Sequence, residues 1–333
     1  MSELVTVAEI EEAAVRLRGV AVRTPLVPVA LVDDPSRDED TAPVRAGSPL
    51  LIKPESLQPT GAFKLRGAVN AIMARREQGR DRGVVAHSSG NHAQAVAYAA
   101  QTLGLPAVLV MPNTAPTVKV DACRALGAEI VFVEPTMEAR AGTAERLAEA
   151  HDFDLIPPYD DARVIAGQGT IGLEIVADAP DVDVVLVPVG GGGLLAGVAT
   201  AVKARRPQAK VVGVEPELAA DARDSLRAGR PMRWTPAQTA RTAADALRVS
   251  PVGDLTFAHI SEYVDDIVVV SEEEIRAAMG WLVRRARLVA EPGGAVATAA
   301  HLFRQTALPA GRTRVALLSG GNVDPGLFKT VIT

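Results

Sequence analysis

The chain has 333 residues, room for one large domain or two of ordinary size. It is 48% hydrophobic but only 3% aromatic, so its core must be built from Ala, Val, Leu and Ile, which suits an α/β protein with buried parallel strands. The net charge of -5, with acids and bases interspersed, excludes a basic nucleic-acid surface; the single Cys123 excludes an internal disulfide and fits a reducing compartment.

The opening MSELVTVAEIEEAAVRLRGV alternates acids with apolar residues at helical spacing and lacks the basic start and apolar run of a secretion signal. The polar stretch DDPSRDEDTAPVRAGSP, residues 33–49, reads as an exposed loop without chemistry. QPTGAFKLRGA, Gln58 to Ala68, then presents Lys64, one of six lysines among 35 basic residues. Arg would serve solubility or ion pairing as well. Lys alone offers an amine that can lose its proton when desolvated and attack a carbonyl.

Strand-like and helix-like stretches alternate from there. GVVAHS predicts a strand, and NHAQAVAYAAQTLG a helix ending at Gly104. PAVLVMP and EIVFVE read as strands, followed by the helices TAPTVKVDACRALGA and TMEARAGTAERLAEAH. VVLVPVGGGGLLAGVATAV, Val184 to Val202, carries no charge. A bilayer span takes about 20 apolar residues. Pro188 and the glycines interrupt this one, so strand, loop and helix explain it better. KVVGVEP is the next strand, and Pro216 to Asp254 reads as a long irregular connection. SEEEIRAAMGWLVRRARL opens with a capping box, Ser271 and Glu274. GGAVATAAHLF is a further helix and RVALLSG the last strand. Repeated strand–helix–strand units predict parallel sheets with helices on both faces, in a soluble, cytoplasmic protein with no membrane or nucleic-acid partner.

In such sheets ligands bind at the carboxyl ends of strands, where helix N-termini point N–H groups at anions. Three loops hold that position: HSSGNHAQ (87–94), VGGGGLLAG (189–197) and SGGNVD (319–324). The glycines strip away side chains so that backbone N–H groups can meet a phosphate; a tight strand–helix turn is the plainer reading, but needs only one or two of them. Gly191, Gly193 and Ala196 also satisfy G-x-G-x-x-A, with Glu215 ending the next strand, so a dinucleotide site stays open locally. SSGNH offers a cradle for a carboxylate, although Ser88, Ser89 or Asn91 could simply cap a helix. His87 and His92 are spaced unsuitably for a zinc pair on one helical face.

TGAFKLRGA, HSSGNHAQA, VIAGQGTIGLEI, VPVGGGGLLAG, VEPELAADA and LSGGNVD together make the chain resemble the serine/threonine dehydratases, serine racemase included. These belong to the larger group of pyridoxal-phosphate enzymes similar to the tryptophan synthase β subunit. The resemblance covers essentially the whole chain. It implies two open, twisted, mostly parallel sheets flanked by helices, with a large domain of residues 1–82 and 159–333 and an inserted, mobile small domain of 83–158. It also assigns roles. Lys64 would form the Schiff base, Phe63 pack beside the cofactor ring and Asn91 bind its phenolic oxygen. Gly190, Gly191, Gly192, Gly193 and Leu194 would hold the phosphate, and Ser319 contact the pyridine nitrogen. Ser88, Ser89, Gly90, Asn91 and His92 would hold the substrate carboxylate, with Arg140 joining on closure, and Ser89 matches the catalytic serine that in racemase-like members donates a proton on the cofactor face opposite Lys64. Glu215, the Ala219 carbonyl and Asp221 match a site for Mg²⁺ or Ca²⁺ found in part of the family.

Two departures stand out. The common S-F-K reads A-F-K, with Ala62 for Ser; and Val249 stands where racemase-like members carry a serine. The activity implied is dehydration and deamination of L-threonine and L-serine, with serine racemisation, or 3-hydroxyaspartate dehydration or racemisation, as the alternative. A homodimer is the usual assembly. The chain stops soon after Gly321-Asn322, so a C-terminal regulatory domain is not expected. Two further readings are an NAD-dependent oxidoreductase built on the Gly191 loop and a non-catalytic amino-acid sensor; retention of Lys64, Asn91 and Ser319 together argues against the sensor.

Overall fold

A computed structural model describes residues 3–29, 50–88 and 90–332. The polar stretch at 33–49 and Ser89 therefore lie outside the described residues. Among the described residues there are ten strands: β1 (Val27–Val29), β2 (Leu50–Pro54), β3 (Val84–His87), β4 (Ala107–Pro112), β5 (Glu129–Val133), β6 (Asp154–Leu155), β7 (Val184–Pro188), β8 (Lys210–Pro216), β9 (Asp266–Val270) and β10 (Arg314–Leu318). They form a six-stranded sheet in the order β1-β2-β10-β7-β8-β9 and a four-stranded sheet in the order β5-β4-β3-β6. Every pairing is parallel except β1 with β2.

Period-two alternation distributes the strand side chains to two covered faces. Leu186, Val212, Val214, Ala316 and Leu318 face one core with residues of the Glu272–Trp281 and Pro292–Phe303 helices. Val185, Val187, Val211, Val315 and Leu317 face the other with the Ala162–Asp178 and Gly193–Arg205 helices. Both faces being dry, these strands read as unbroken apolar runs. In the smaller sheet, Val84, Ala86, Leu109 and Met111 pack with the Asn91–Leu103 helix, and Val85, Val108 and Val110 with Ala144 of the Met137–His151 helix.

The charge-free stretch 184–202 resolves into β7, a glycine loop and a helix, and among the described residues no helix is long and apolar enough to cross a membrane. Gly104 ends its helix at φ 69°, and the Ser271/Glu274 capping box is formed. The connection between Pro216 and Asp254 is more ordered than its weak periodicity predicts. It holds an Asp221–Ala228 helix, ended by Gly229 at φ 66°, and two short turns at Pro236–Thr239 and Asp245–Leu247. An eight-residue helix spans barely two turns, too few to leave a periodic signature.

The helix that begins with Lys64 is anchored by a buried ionic quartet. Arg66 is 1% exposed and donates to both oxygens of Glu55 and of Glu174, at 2.7–2.9 Å. It also reaches Thr170 Oγ1 and the Val22 carbonyl. Lys53 donates to Glu174 and the Thr24 carbonyl. Two cations and two carboxylates thus join the segment before β1, β2, the Lys64–Arg76 helix and the Ala162–Asp178 helix without net charge. Burial would raise the Glu55 carboxyl; the Arg66 charge and hydrogen bonds, with Thr24 and Lys53, outweigh it and hold it below the ordinary carboxylate range.

Candidate active site

Three neighbouring parallel strands, β2, β10 and β7, end side by side. The segments that leave these strand ends are therefore delivered to one place: Lys64 after β2, Ser319 after β10 and the Gly190–Gly193 loop after β7. The first two loops are stitched together, with Phe63 N donating to Ser319 O at 3.0 Å, Gly321 N to Gly61 O at 2.9 Å, and Ala62 bridging Gly320. The β3 end of the other sheet contributes Ser88, Gly90, Asn91 and His92. A cavity of about 230 Å³ lies between, lined by all of these together with Phe63, Leu194 and Arg140. Every described residue expected to bind cofactor or substrate therefore reaches one cavity.

Lys64 is half-buried, and its Nζ donates to the Pro158 carbonyl at 2.5 Å, 5.2 Å from the Phe63 ring centroid. Desolvation pulls the ammonium down to about 8, so about a tenth of the amine is neutral at pH 7, far more than for an ordinary lysine. Asn91, the first residue of its helix, donates from Nδ2 to Glu291 at 2.7 Å and accepts from Asn322 at 2.9 Å. Ser319 is buried, with Oγ 3.4 Å from the Gly293 carbonyl. Ser88 accepts from the Gly90 N–H at 3.2 Å. His92 lies 2.8 Å from the Ile156 carbonyl through Nε2. Burial, then the Lys64 charge, pushes its imidazole down to about 3, so it is neutral, and the carbonyl partner assigns the proton to Nε2. Arg140 is desolvated, which lowers its pKa, and its Nε reaches only the Thr136 carbonyl one turn back.

The glycine loop satisfies both readings of its sequence. A Cβ at Gly191 would meet the Tyr159 ring at 2.5 Å, one at Gly192 would meet Thr256 at 2.8 Å, and one at Gly193 would meet the Tyr159 carbonyl at 3.0 Å. The glycines are thus required for packing, Gly191 and Gly193 against the cavity-lining Tyr159 and Gly192 against Thr256 behind the loop. They also line the cavity itself, and no hydrogen bond within the chain uses the four N–H groups of Gly190 to Gly193 among the described residues. An unpartnered row of N–H groups at the start of a helix is suited to a phosphate ester.

Sequence reasoning missed several lining residues: Pro158, Tyr159, Lys119, Asp245 and Glu291. Glu291 is 4% exposed, and burial, then the Asp245 charge, pushes its carboxyl up to about 7 against the Asn91 hydrogen bond. Its only sequence signal was a lone carboxylate before the uncharged run PGGAVATAA. Lys119 and Asp245 form an ion pair of 3.2 Å between opposite walls, 126 residues apart in sequence.

Glu215 does not line the cavity. Its two oxygens accept the N–H groups of Ala222 and Arg223 at 2.9 and 2.8 Å. The ribose-binding role that a dinucleotide reading gives this acid therefore fails. Burial, then the nearby Asp221 charge, raises Glu215 well above the carboxylate range; Asp221 is pushed up to about 6, chiefly by burial. Asp221 accepts hydrogen bonds from Ser250 and the Val252 N–H, but its Oδ2 is buried without a partner among the described residues. Among the described residues no group of three or more His, Cys, Asp and Glu side chains converges on a metal position; the expected set has two carboxylates and the carbonyl of the buried Ala219.

A family profile described as "Pyridoxal-phosphate dependent enzyme" matches residues 22–320. This chain belongs to that family. It is 42% identical over 329 residues to an L-threonine ammonia-lyase of Thermotoga maritima, covering 99% of this chain and 78% of the relative. It is 39% identical to an L-threo-3-hydroxyaspartate ammonia-lyase of Saccharomyces cerevisiae, over 98% and 96% of the two chains. The crystal structure of a serine racemase from Dictyostelium discoideum superposes with a TM-score of 0.86 at 37% identity, over 96% of this chain and 99% of that one. The expected α/β architecture of two mostly parallel, helix-flanked sheets is that of the family, and the oxidoreductase reading is set aside.

Proposed function

We propose that this protein is a pyridoxal-phosphate-dependent ammonia-lyase that converts L-threonine and L-serine to 2-oxobutanoate or pyruvate with release of ammonia. The observation that carries the reading is the convergence on one cavity of a desolvated lysine amine, a row of unpartnered glycine N–H groups and a buried serine hydroxyl. When bound, pyridoxal phosphate supplies an electron sink for negative charge developing at Cα of an amino acid. Lys64 Nζ is the group that attaches the cofactor and, once freed, accepts the α-proton. The N–H groups of Gly190 to Leu194 would hold the phosphate, Phe63 would pack beside the ring and Asn91 would bind its phenolic oxygen. Ser88, Gly90 and the N-terminus of the Asn91–Leu103 helix would hold the substrate carboxylate, with His92 beside them and Arg140 completing the pocket. A hydroxyl at Ser319, unlike a carboxylate, does not hold a pyridine nitrogen protonated. Ser319 would therefore suit prompt loss of a β-hydroxyl better than slow exchange of the α-proton.

Serine racemisation is the second reading, supported by the racemase likeness. Val249 lines the cavity with an apolar side chain where a polar contact would serve racemisation, and this favours the lyase. A panel of L-threonine, L-serine and 3-hydroxyaspartate, scored for keto acid, ammonia and product chirality, tests the assignment. Keto acid from threonine and serine is expected. D-serine forming faster than pyruvate would make racemisation the primary function.

The finer parts of the reading are proposals of the same kind. Mg²⁺ or Ca²⁺ at Glu215, Asp221 and the Ala219 carbonyl is supported by two crowded buried carboxylates and an orphaned oxygen, an all-oxygen set suited to a hard cation. The division into a large domain (1–82 and 159–333) and a mobile small domain (83–158) is supported by the separate four-stranded sheet. A homodimer in the cytoplasm is the assembly and location that fit the resemblance.

A further inference from the structure

The cavity-facing row of N–H groups needs something to hold it in place, because glycines impose almost no conformation of their own. The Gly192 carbonyl is taken by the helix's own first turn, through the Ala196 N–H, and the Gly191 carbonyl is the loop group held from another element. Thr256 Oγ1 lies 2.8 Å from it, and the Gly253 N–H 3.3 Å. A trans peptide points its C=O and N–H in opposite directions. Drawing the Gly191 carbonyl toward Thr256 therefore turns the Gly192 N–H away from Thr256, toward the side on which the loop lines the cavity. Gly192 itself sits at φ 92°, a conformation that the anchored peptide must hold open.

Thr256 is fully buried and lies in the first turn of the Asp254–Tyr263 helix, whose N-cap, Gly253, has no side chain to cap it. Asp160 supplies the missing cap from 94 to 96 residues away. Its carboxylate accepts the N–H groups of Asp254, Leu255 and Thr256 at 3.2, 3.0 and 3.1 Å. A Cβ at Gly253 would fall within 2.6 Å of the Asp160 Cβ, so Gly253 makes room for this carboxylate. Asp160 also comes directly after two residues already at the site: Pro158, whose carbonyl takes the Lys64 amine, and Tyr159, which backs Gly191 and Gly193.

We propose that Asp160 and Thr256 are positioning residues for the cofactor phosphate: Asp160 fixes the N-terminus of the Asp254–Tyr263 helix, and Thr256 on that helix fixes the Gly191 peptide so that the loop presents its N–H groups to the anion. This rests on the cofactor assignment above. Neither side chain lines the cavity, so neither touches the ligand.

The test compares two probes that differ only in the phosphate. Full-length protein is stripped of cofactor, and pyridoxal phosphate and pyridoxal are titrated separately by visible absorbance. Wild-type protein should prefer the phosphorylated probe strongly. Thr256→Val, which keeps the shape and loses the hydroxyl, should bind pyridoxal phosphate about tenfold more weakly, the effect of one hydrogen bond, with pyridoxal affinity unchanged. Thr256→Ser should restore the preference, and Asp160→Ala should lower it without moving pyridoxal. A merely structural role would weaken both probes in parallel; that result, or an unchanged preference in Thr256→Val and Asp160→Ala, overturns the proposal. A wild-type protein that takes up neither probe overturns the cofactor assignment instead.

Discussion

Replacing Arg66 by Met, which has a similar reach and no charge, breaks the quartet at its centre. The guanidinium donates to Glu55, Glu174, Thr170 and the Val22 carbonyl, and Lys53 is then the one cation left against two carboxylates. Removing one partner of a buried pair costs about 3–5 kcal/mol, mostly through the charge left behind. At about 2 °C per kcal/mol for a large chain, the melting temperature should fall by about 6–10 °C. The orphaned charge makes a further prediction. Arg66→Met with Glu55→Gln should lose less than the sum of the single changes, because the second removes the carboxylate that the first stranded. The pH dependence comes from the depressed Glu55 carboxyl. Its contribution is present above the ordinary carboxylate pKa and is lost as pH falls through the lower folded value, so the gap between wild type and variant should narrow in acid. Thermal melts from pH 7 to pH 3 measure all three. A loss below about 2 °C at pH 7, or strict additivity of the two changes, would refute the reasoning.

Lys64→Ala should abolish turnover and the yellow absorbance, and borohydride reduction of wild type followed by peptide mapping should place the label on Lys64; a label elsewhere removes its role. In cofactor-free protein, modification of Lys64 by an amine reagent should rise with pH around 8 and not near the ordinary lysine value. Asp221, raised to about 6, favours the folded state below its unfolded pKa, and that contribution is lost as pH rises through 6. Added Mg²⁺ or Ca²⁺ should therefore raise the melting temperature more at pH 8 than at pH 5, and equal shifts would count against the site. Gly167→Ala should destabilise markedly, since its Cβ would meet the Arg66 carbonyl at 2.6 Å where two helices cross; an unchanged melt would contradict that packing. Ser89→Ala should suppress D-serine formation while sparing pyruvate formation from L-serine, and loss of both together would argue against its being the proton donor opposite Lys64.

Local sequence made six of the ten described strands, several helices and the loops that line the cavity legible, but not the strands at 27–29, 50–54, 154–155 and 266–270 or the Ala162–Asp178 helix. Buried strands announce themselves as apolar runs such as VVLVPV, capped helices by Ser271 and Glu274, and a special amine by its rarity among arginines. Motifs whose chemistry depends on backbone exposure, such as the glycine loop, are also legible, because Gly is the residue that permits it. Tertiary structure decided which residues support that chemistry. Glu291 reaches Asn91 across 200 residues, Asp160 caps a helix nearly a hundred residues away, and Lys119 pairs with Asp245 across the cavity. None of these has a local signature, since an acid on a loop reads the same whether it faces water or a distant helix. The adjacency of β2, β10 and β7 is equally silent in the sequence. Parallel strands are joined only through long crossovers, so their order is fixed by how the helices cover the two faces, and with it the place where Lys64, Ser319 and the glycine loop meet.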